Sequence, residues 1–376
     1  MKLLNPFPEY GYFGPEYFCD RKKETEQLIG ALRNGSNVTL MAPRRIGKTG
    51  LIRHAFERMK AEDKNVQCFY VDIFPTKSFS QMVQLLANAV IGRLDTPSQA
   101  IKRKLNRFVT ALRPTMTPDP LTGLPTFSFT VAPEQARETL TQIFEYMKES
   151  ERQCYLAIDE FQQVTCYSEL GVDALIRSII QFIPNVHIVF SGSQQRLLAE
   201  MFMSPKHPFF NSSQIMTIGT IDRVNYRDFA NSFFAEQKRE ISETAFDFLY
   251  DMVDGQTWYI QKMLNRLYRT PKGKLDAEDV QKAVNDIIGE QEINYQNSYN
   301  LMTENQANVL TAIAREGTVK TPTALDFVVR YRLSAPSSIK QALKSLQEKE
   351  FLFYDPVRGY MVYDRFFGIW LKRLSE

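Results

Sequence analysis

Residues 37–50, Asn-Val-Thr-Leu-Met-Ala-Pro-Arg-Arg-Ile-Gly-Lys-Thr-Gly, constrain this chain more than any other stretch. Asn37 to Met41 reads as a buried strand, the next residues as a tight loop, and Gly47-Lys48-Thr49 as the loop's end at a helix start. The spacing suits an anion cradle. The loop curls round a phosphate, Gly47 lets backbone N–H groups approach closely, Lys48 reaches β- and γ-phosphates, and the Thr49 hydroxyl ligates Mg²⁺. Ala42, Pro43, Arg44, Arg45, Ile46, Gly47, Lys48, Thr49 and Gly50 are therefore the candidate nucleotide-binding residues. Ala42 stands where the pattern has its first glycine, which a methyl group tolerates if φ stays negative. Leu51, Ile52, His54, Ala55, Phe56 and Met59 then place mostly apolar side chains at helical spacing, so strand, loop and helix occur in the required order.

A second element is Cys154-Tyr155-Leu156-Ala157-Ile158-Asp159-Glu160, a short apolar run ending in two carboxylates. A central parallel strand delivers acids to its C-terminal edge in this way. Asp159 is expected to hold Mg²⁺ through water, and Glu160 to polarise an attacking water as the catalytic base. That second role separates hydrolysing P-loop proteins from kinases, whose nucleophile is a substrate group. A third apolar run, His187 to Phe190, closes on Ser191-Gly192-Ser193-Gln194. Ser191, Ser193 or Gln194 could sense the γ-phosphate or hold the water; an ordinary turn is the alternative for each.

Asn5-Pro6-Phe7, Phe18-Cys19-Asp20-Arg21-Lys22-Lys23-Glu24, the loop at 42–49, the acids at 159–160 and Ser191-Gly192-Ser193 together resemble the archaeal-type ATPases. These are AAA-related P-loop proteins, also found in bacteria, that are grouped with the signal-transducing NTPases and end in a winged helix. The resemblance covers nearly the whole chain and implies that Tyr17, Phe18 and Arg21 lie on the base side of the nucleotide. Two segments depart from it. A Pro-Leu-Tyr-Gly-Arg-like turn of relatives reads Pro208-Phe209-Phe210-Asn211-Ser212-Ser213, without an arginine. If that arginine stabilises transition-state charge, this chain takes one from elsewhere or hydrolyses slowly. The Gly-Gly-x-Pro-like segment reads Asp254-Gly255-Gln256-Thr257-Trp258-Tyr259, which lacks one glycine and the proline.

At 376 residues the chain is expected to hold two or three compact units. No apolar run approaches the ~18 residues of a membrane span, and Pro6, Pro8 and Glu9 interrupt any leader, so a cytoplasmic location is expected. Cys19, Cys68, Cys154 and Cys166 have no metal-like spacing and read as buried hydrophobes or free thiols. With 46 Lys and Arg against 43 acids, global charge neither demands nor excludes nucleic acid.

The fold expected is α/β: a P-loop NTPase domain over 1–220, a helical lid over 221–300 and a winged helix over 301–376. Strands near 37–41, 66–73, 154–159, 186–191 and 215–218 alternate with helical patterns, as in a parallel sheet covered on both faces. An insertion at about 95–135 comes after a helix at 79–94. It carries the basic stretch Lys102, Arg103, Lys104, Arg107 and Arg113, a turn at 117–123 and an alternating strand at 127–131. Residues 221–300 read as helices without strands, in which Arg266 or Arg269 could reach a phosphate or simply lie on the surface. In the last segment three helices precede a two-stranded wing around Pro356-Val357-Arg358-Gly359. Ile339, Ala342, Leu343 and Leu346 cluster on one side of the third helix, leaving Ser337, Lys340, Gln341, Lys344 and Ser345 outward. Lys340 and Lys344 are thus candidate DNA contacts, although such modules also bind protein or pack on their own ATPase.

These readings converge on an ATP- and Mg²⁺-dependent hydrolase that switches between ATP and ADP states, with a winged-helix output. Two rivals remain: a duplex-DNA-binding protein in which ATP only locks a conformation, and a signalling switch that binds a protein partner or itself.

Overall fold

Strands with apolar residues on both faces need cover on both sides, and five of them assemble here into one parallel sheet. The computed structural model describes residues 2–91, 94, 113–118 and 125–374. Residues 10–221 form one compact unit, and the chain's start up to Glu9 joins the residues from Asp222 onward in a second. The first unit runs α1 (Lys22–Arg33), β1 (Val38–Met41), α2 (Lys48–Glu62), β2 (Val66–Asp72), α3 (Phe79–Val90), β3 (Arg113–Pro118), β4 (Pro125–Thr130) and α4 (Ala136–Glu149). It continues with β5 (Gln153–Asp159), α5 (Val172–Ile180), β6 (Val186–Gly192), α6 (Gln195–Met203) and β7 (Gln214–Thr217). The sheet order is β2-β5-β6-β1-β7, and all its pairings are parallel.

Period-two alternation divides the strand residues between two cores. Met41, Phe69, Val71, Leu156, Ile158, Ile188 and Phe190 join the layer that holds α3, α4 and α5. Val38, Leu40, Cys68, Ala157 and Val189 face α1 and α2 on the other side. Directly behind the carboxylate edge lies an aromatic cluster: the Phe161 ring centroid is 4.6 Å from Phe190, 5.4 Å from Phe209 and 5.9 Å from Phe202. Phe209 thus occupies the core from within the turn that departs from the family pattern.

Within the insertion, β4 pairs antiparallel with β3, so Thr117 and Pro118, expected in a turn, belong to a strand. Lys102, Arg103, Lys104 and Arg107 lie outside the described residues, and Arg113 opens β3. The expected helix at 79–94 ends at Val90.

The second unit runs α7 (Arg223–Glu236), β8 (Glu240–Ile241), α8 (Glu243–Met252), α9 (Thr257–Tyr268), β9 (Lys274–Leu275) and α10 (Ala277–Asn300). Then come α11 (Glu304–Glu316), α12 (Leu325–Arg330), α13 (Pro336–Glu348), β10 (Leu352–Asp355), β11 (Gly359–Val362) and α14 (Arg365–Arg373). The parallel pair β8 and β9 corrects the expectation of a strand-free segment; two residues each are too few to leave a periodic signal. Residues 2–9, expected within 1–220, pack here. Phe7 is fully buried against Phe233, Phe234 and Tyr268, while Asn5 Nδ2 donates to the Asn265 carbonyl at 2.9 Å and Asn265 Nδ2 to the Phe7 carbonyl at 2.8 Å.

Helix starts are fixed by side chains. Asp276 and Thr303 form capping boxes with Asp279 and Gln306, and Asp364 caps α14. On α13, Ile339, Ala342, Leu343 and Leu346 are buried, and Ser337, Lys340, Gln341 and Lys344 are exposed. Ser345 is not outward: it is half-buried and accepts from Gln306 Nε2 at 3.0 Å. The wing has a third partner, since Val319 and Tyr360 exchange backbone hydrogen bonds of 2.8 and 2.9 Å. Gly359, at φ 94°, permits that approach, because a Cβ there would lie 2.4 Å from the Val319 carbonyl oxygen.

Asp254 clamps the start of α14 to the residues after α8. Its Oδ2 accepts from the wing residue Arg358 and, at 2.9 Å, from Arg365, whose side chain is 13% exposed. Burial pushes the Arg365 pKa down, and Asp254 opposes that.

Two variants test this packing. Phe161→Ala should cost about 3–5 kcal/mol and lower the urea midpoint of the first unit, since the cavity opens among packed rings; an unchanged midpoint would contradict the cluster's role. Asp254→Ala should destabilise the second unit by roughly 1.5–3 kcal/mol, the value of hydrogen bonds to a charged group, in the same measurement.

Candidate phosphate-binding and catalytic site

The loop leaves β1 at Met41 and reaches α2 through two left-handed residues, Arg45 at φ 68° and Gly47 at φ 101°. Ala42 is buried and keeps a negative φ, so its methyl group is accommodated. Gly47 is the N-cap of α2 and offers no side-chain acceptor, and the first turn holds no acidic residue. The N–H groups and positive dipole end of α2 are thus left for an external anion. Lys48 is 6% exposed, and its ammonium donates to the carbonyls of Ala42 at 3.0 Å and Pro43 at 3.1 Å. Burial pushes its pKa down, opposed by Glu160 and Asp159 and reinforced by Arg44.

The loop is braced from behind. Arg21, itself left-handed at φ 61° and buried, donates to the Ile46 carbonyl at 2.9 Å and to Glu24 at 3.0 Å. Phe18 stacks on His54 with centroids 4.3 Å apart, and its ring would meet a Cβ at Gly50 at 3.4 Å. Tyr12 Oη and His54 Nδ1 are 2.9 Å apart, which adds a polar edge to this stack. Tyr17 is buried. Of the three residues expected near a base, Arg21 bonds the loop backbone.

β5 delivers Asp159 beside this loop. Thr49 Oγ1 donates to Asp159 Oδ2 at 3.0 Å, Tyr70 Oη donates to the same oxygen, and Ser191 Oγ and the Glu160 N–H donate to Oδ1. Ser191, a candidate γ-phosphate sensor, is fully buried, and its hydroxyl is engaged by Asp159. Glu160 is left-handed at φ 54°, a strained conformation held by its surroundings. Its Oε2 accepts from Ser193 Oγ at 2.8 Å, from the Ser193 N–H at 3.2 Å and from Gln162 Nε2. Ser193 Oγ in turn accepts from Arg44 Nε at 3.1 Å, which connects the phosphate loop to the carboxylate. Gly192 leaves room for Gln162, whose Oε1 would sit 2.0 Å from a Cβ there.

Gln194 is exposed at the start of α6, where its carbonyl accepts from the Leu198 N–H. Arg266 and Arg269 belong to the second unit, where Arg266 pairs with Glu290 and Arg269 donates to Asn265 at 2.8 Å. Sequence reasoning missed Tyr70 and Gln162. Tyr70 looks like any half-buried strand residue until β2 is known to lie beside β5, with Asp72 opposite Asp159. Burial, Asp159 and Glu160 raise the pKa of Asp72, whereas its hydrogen bond from the Phe74 N–H lowers it.

The donor set fits a nucleotide and its metal. An uncapped helix end and a buried ammonium suit phosphates, and two adjacent oxygens, Thr49 Oγ1 and Asp159 Oδ2, suit a hard cation through water. Comparison with known proteins agrees as to the nucleotide. Residues 18–263 match the model of an ATPase domain found predominantly in Archaea, and residues 293–373 that of a probable winged helix domain. The chain belongs to this ATPase family. An uncharacterized ATP-binding protein of Methanocaldococcus jannaschii is 31% identical over 161 residues, 39% of this chain and 43% of that protein's length. A Walker-type ATPase of Pyrococcus abyssi shares the fold with a TM-score of 0.67, at 16% identity over 98% of this chain and 99% of that one. The ORC1 protein of Aeropyrum pernix, solved in complex with DNA, superposes with a TM-score of 0.55, at 14% identity over 98% and 96% of the two chains. No helix among the described residues of this ATPase is long and apolar enough to cross a membrane.

The brace behind the loop is testable. Arg21→Ala should remove the charge-assisted bond to the Ile46 carbonyl, cost roughly 1.5–3 kcal/mol in thermal or urea unfolding, and weaken ATP binding. Arg21→Lys should restore only part of this, because one ammonium lacks the guanidinium's fork of donors.

Proposed function

We propose that this ATPase binds Mg²⁺-ATP and hydrolyses it, and that the cycle switches the arrangement of its domains: the P-loop domain, a helical lid and the winged helix. The observation that carries the reading is the pair Asp159 and Glu160 at the end of β5, each held by its own donors beside Lys48 and Thr49. Lys48 and the α2 N-terminus bind and orient the phosphates. Thr49 and Asp159 would hold Mg²⁺, which when bound neutralises charge on the phosphate oxygens. Glu160, fixed by Ser193 and Gln162, accepts the proton of the water that attacks the γ-phosphorus as the bond to the β-phosphate oxygen breaks. Arg44 supplies a route from the loop to the catalytic carboxylate through Ser193.

A second reading, contact with duplex DNA, is favoured by the outward lysines of α13. Lys340 and Lys344 are exposed together with Ser337 and Gln341, although Lys344 also lies 3.9 Å from Glu348. In that role the lysines would meet phosphates and the polar side chains base edges.

Phosphate release from γ-labelled ATP tests the hydrolytic reading, and its repetition with duplex DNA tests the other. Lys48→Ala should lose ATP binding, and Glu160→Gln should bind ATP while turning over about 10²–10⁴-fold more slowly. Wild-type turnover in Glu160→Gln would remove that residue from the mechanism. If the winged helix meets DNA, duplex affinity should fall with salt, and Lys340→Ala should reduce the salt slope by about 1.

A further inference from the structure

Tyr70 takes no part in the mechanism above, yet it sits on the oxygen that faces Thr49. Its hydroxyl donates to Asp159 Oδ2 and lies 3.4 Å from Thr49 Oγ1, which donates to the same oxygen at 3.0 Å. A carboxylate oxygen has two lone-pair sites, and both are spoken for. The other oxygen, Oδ1, is taken by Ser191 and the Glu160 N–H, so Asp159 keeps its orientation without the phenol. The Tyr70 ring is held independently: the Arg53 guanidinium lies over it, 4.4 Å from its centroid, and it packs against the apolar layer of α1 and α2.

We propose that Tyr70 is a positioning residue that occupies the lone pair of Asp159 Oδ2 which a metal-bound water would need, and so sets how tightly the site takes Mg²⁺. The proposal rests on the reading of Thr49 and Asp159 as metal-holding residues. The hydroxyl satisfies a carboxylate that is only 4% exposed when no ion is held. An incoming hydrated cation must then displace a charge-assisted hydrogen bond rather than meet a bare oxygen. Metal affinity is thereby lowered in return for a satisfied buried acid in the metal-free protein.

The test uses the full chain and Tyr70→Phe, which keeps the ring and its contact with Arg53. Calorimetry with a non-hydrolysable ATP analogue, in EDTA and across a Mg²⁺ titration, reads the metal separately from turnover. The expected result is unchanged analogue affinity in EDTA and a half-saturating Mg²⁺ concentration lowered about tenfold or more in Tyr70→Phe. A variant needing the same or more Mg²⁺ than wild type overturns the role of Tyr70 while leaving the metal site standing. Analogue binding indifferent to Mg²⁺ in the wild-type chain overturns the metal reading, and the Tyr70 proposal with it. Circular dichroism melting of both proteins shows whether a loss of affinity comes from folding.

Discussion

The carboxylate of Asp159 gathers the first unit's site around itself. It accepts from Thr49 at the start of α2, from Tyr70 on β2, from Ser191 on β6 and from the backbone of Glu160. Three elements, α2, β2 and β6, are thus held to one buried acid at the end of β5, and the order β2-β5-β6-β1 puts their ends within reach. A buried charge of this kind is tolerated only while its acceptor sites are filled. The geometry of the candidate site and the local stability of the sheet edge therefore rest on the same hydrogen bonds. Glu160 extends the arrangement: its left-handed backbone turns the chain out of β5, and Ser193 and Gln162 fix where its side chain ends.

Much of this is legible in the sequence because its signals are local. The strand, loop and helix around Lys48, the apolar run into Asp159 and Glu160, and the helical spacing of Ile339, Ala342, Leu343 and Leu346 each show a period or a motif within a dozen residues. The hidden part depends on which strand lies beside which. Ser191 reads as a phosphate sensor because it ends a strand near the site; only the pairing of β5 with β6 shows that its hydroxyl is used by Asp159. Tyr70 carries no signal at all for the same reason. Arg21 is legible through a family resemblance, but the bond of its guanidinium to the Ile46 carbonyl is not. Ser345 obeys helical geometry, but Gln306 of a neighbouring helix covers it.

The second unit is held by different devices. Its helices begin at side-chain caps, and its wing is closed by Val319, which needs the missing side chain of Gly359. Asp254 binds two arginines, one in the wing's turn and one at the start of α14. Wing and last helix are thereby referred to the segment after α8. A shift in that segment would move the wing and the last helix together.

Residues 2–9 belong to the unit whose other residues run from Asp222 onward. Phe7 and Asn265 bond to one another across 258 residues of sequence. At synthesis rates of about 5–20 residues per second, Phe7 waits roughly 13–50 s for its partner to be made. During that interval the P-loop unit can fold whole, while the buried ring of Phe7 stays without its pocket. The nucleotide unit is in effect an insertion into the winged-helix unit, and the ribosome delivers the insert before the larger part of its host.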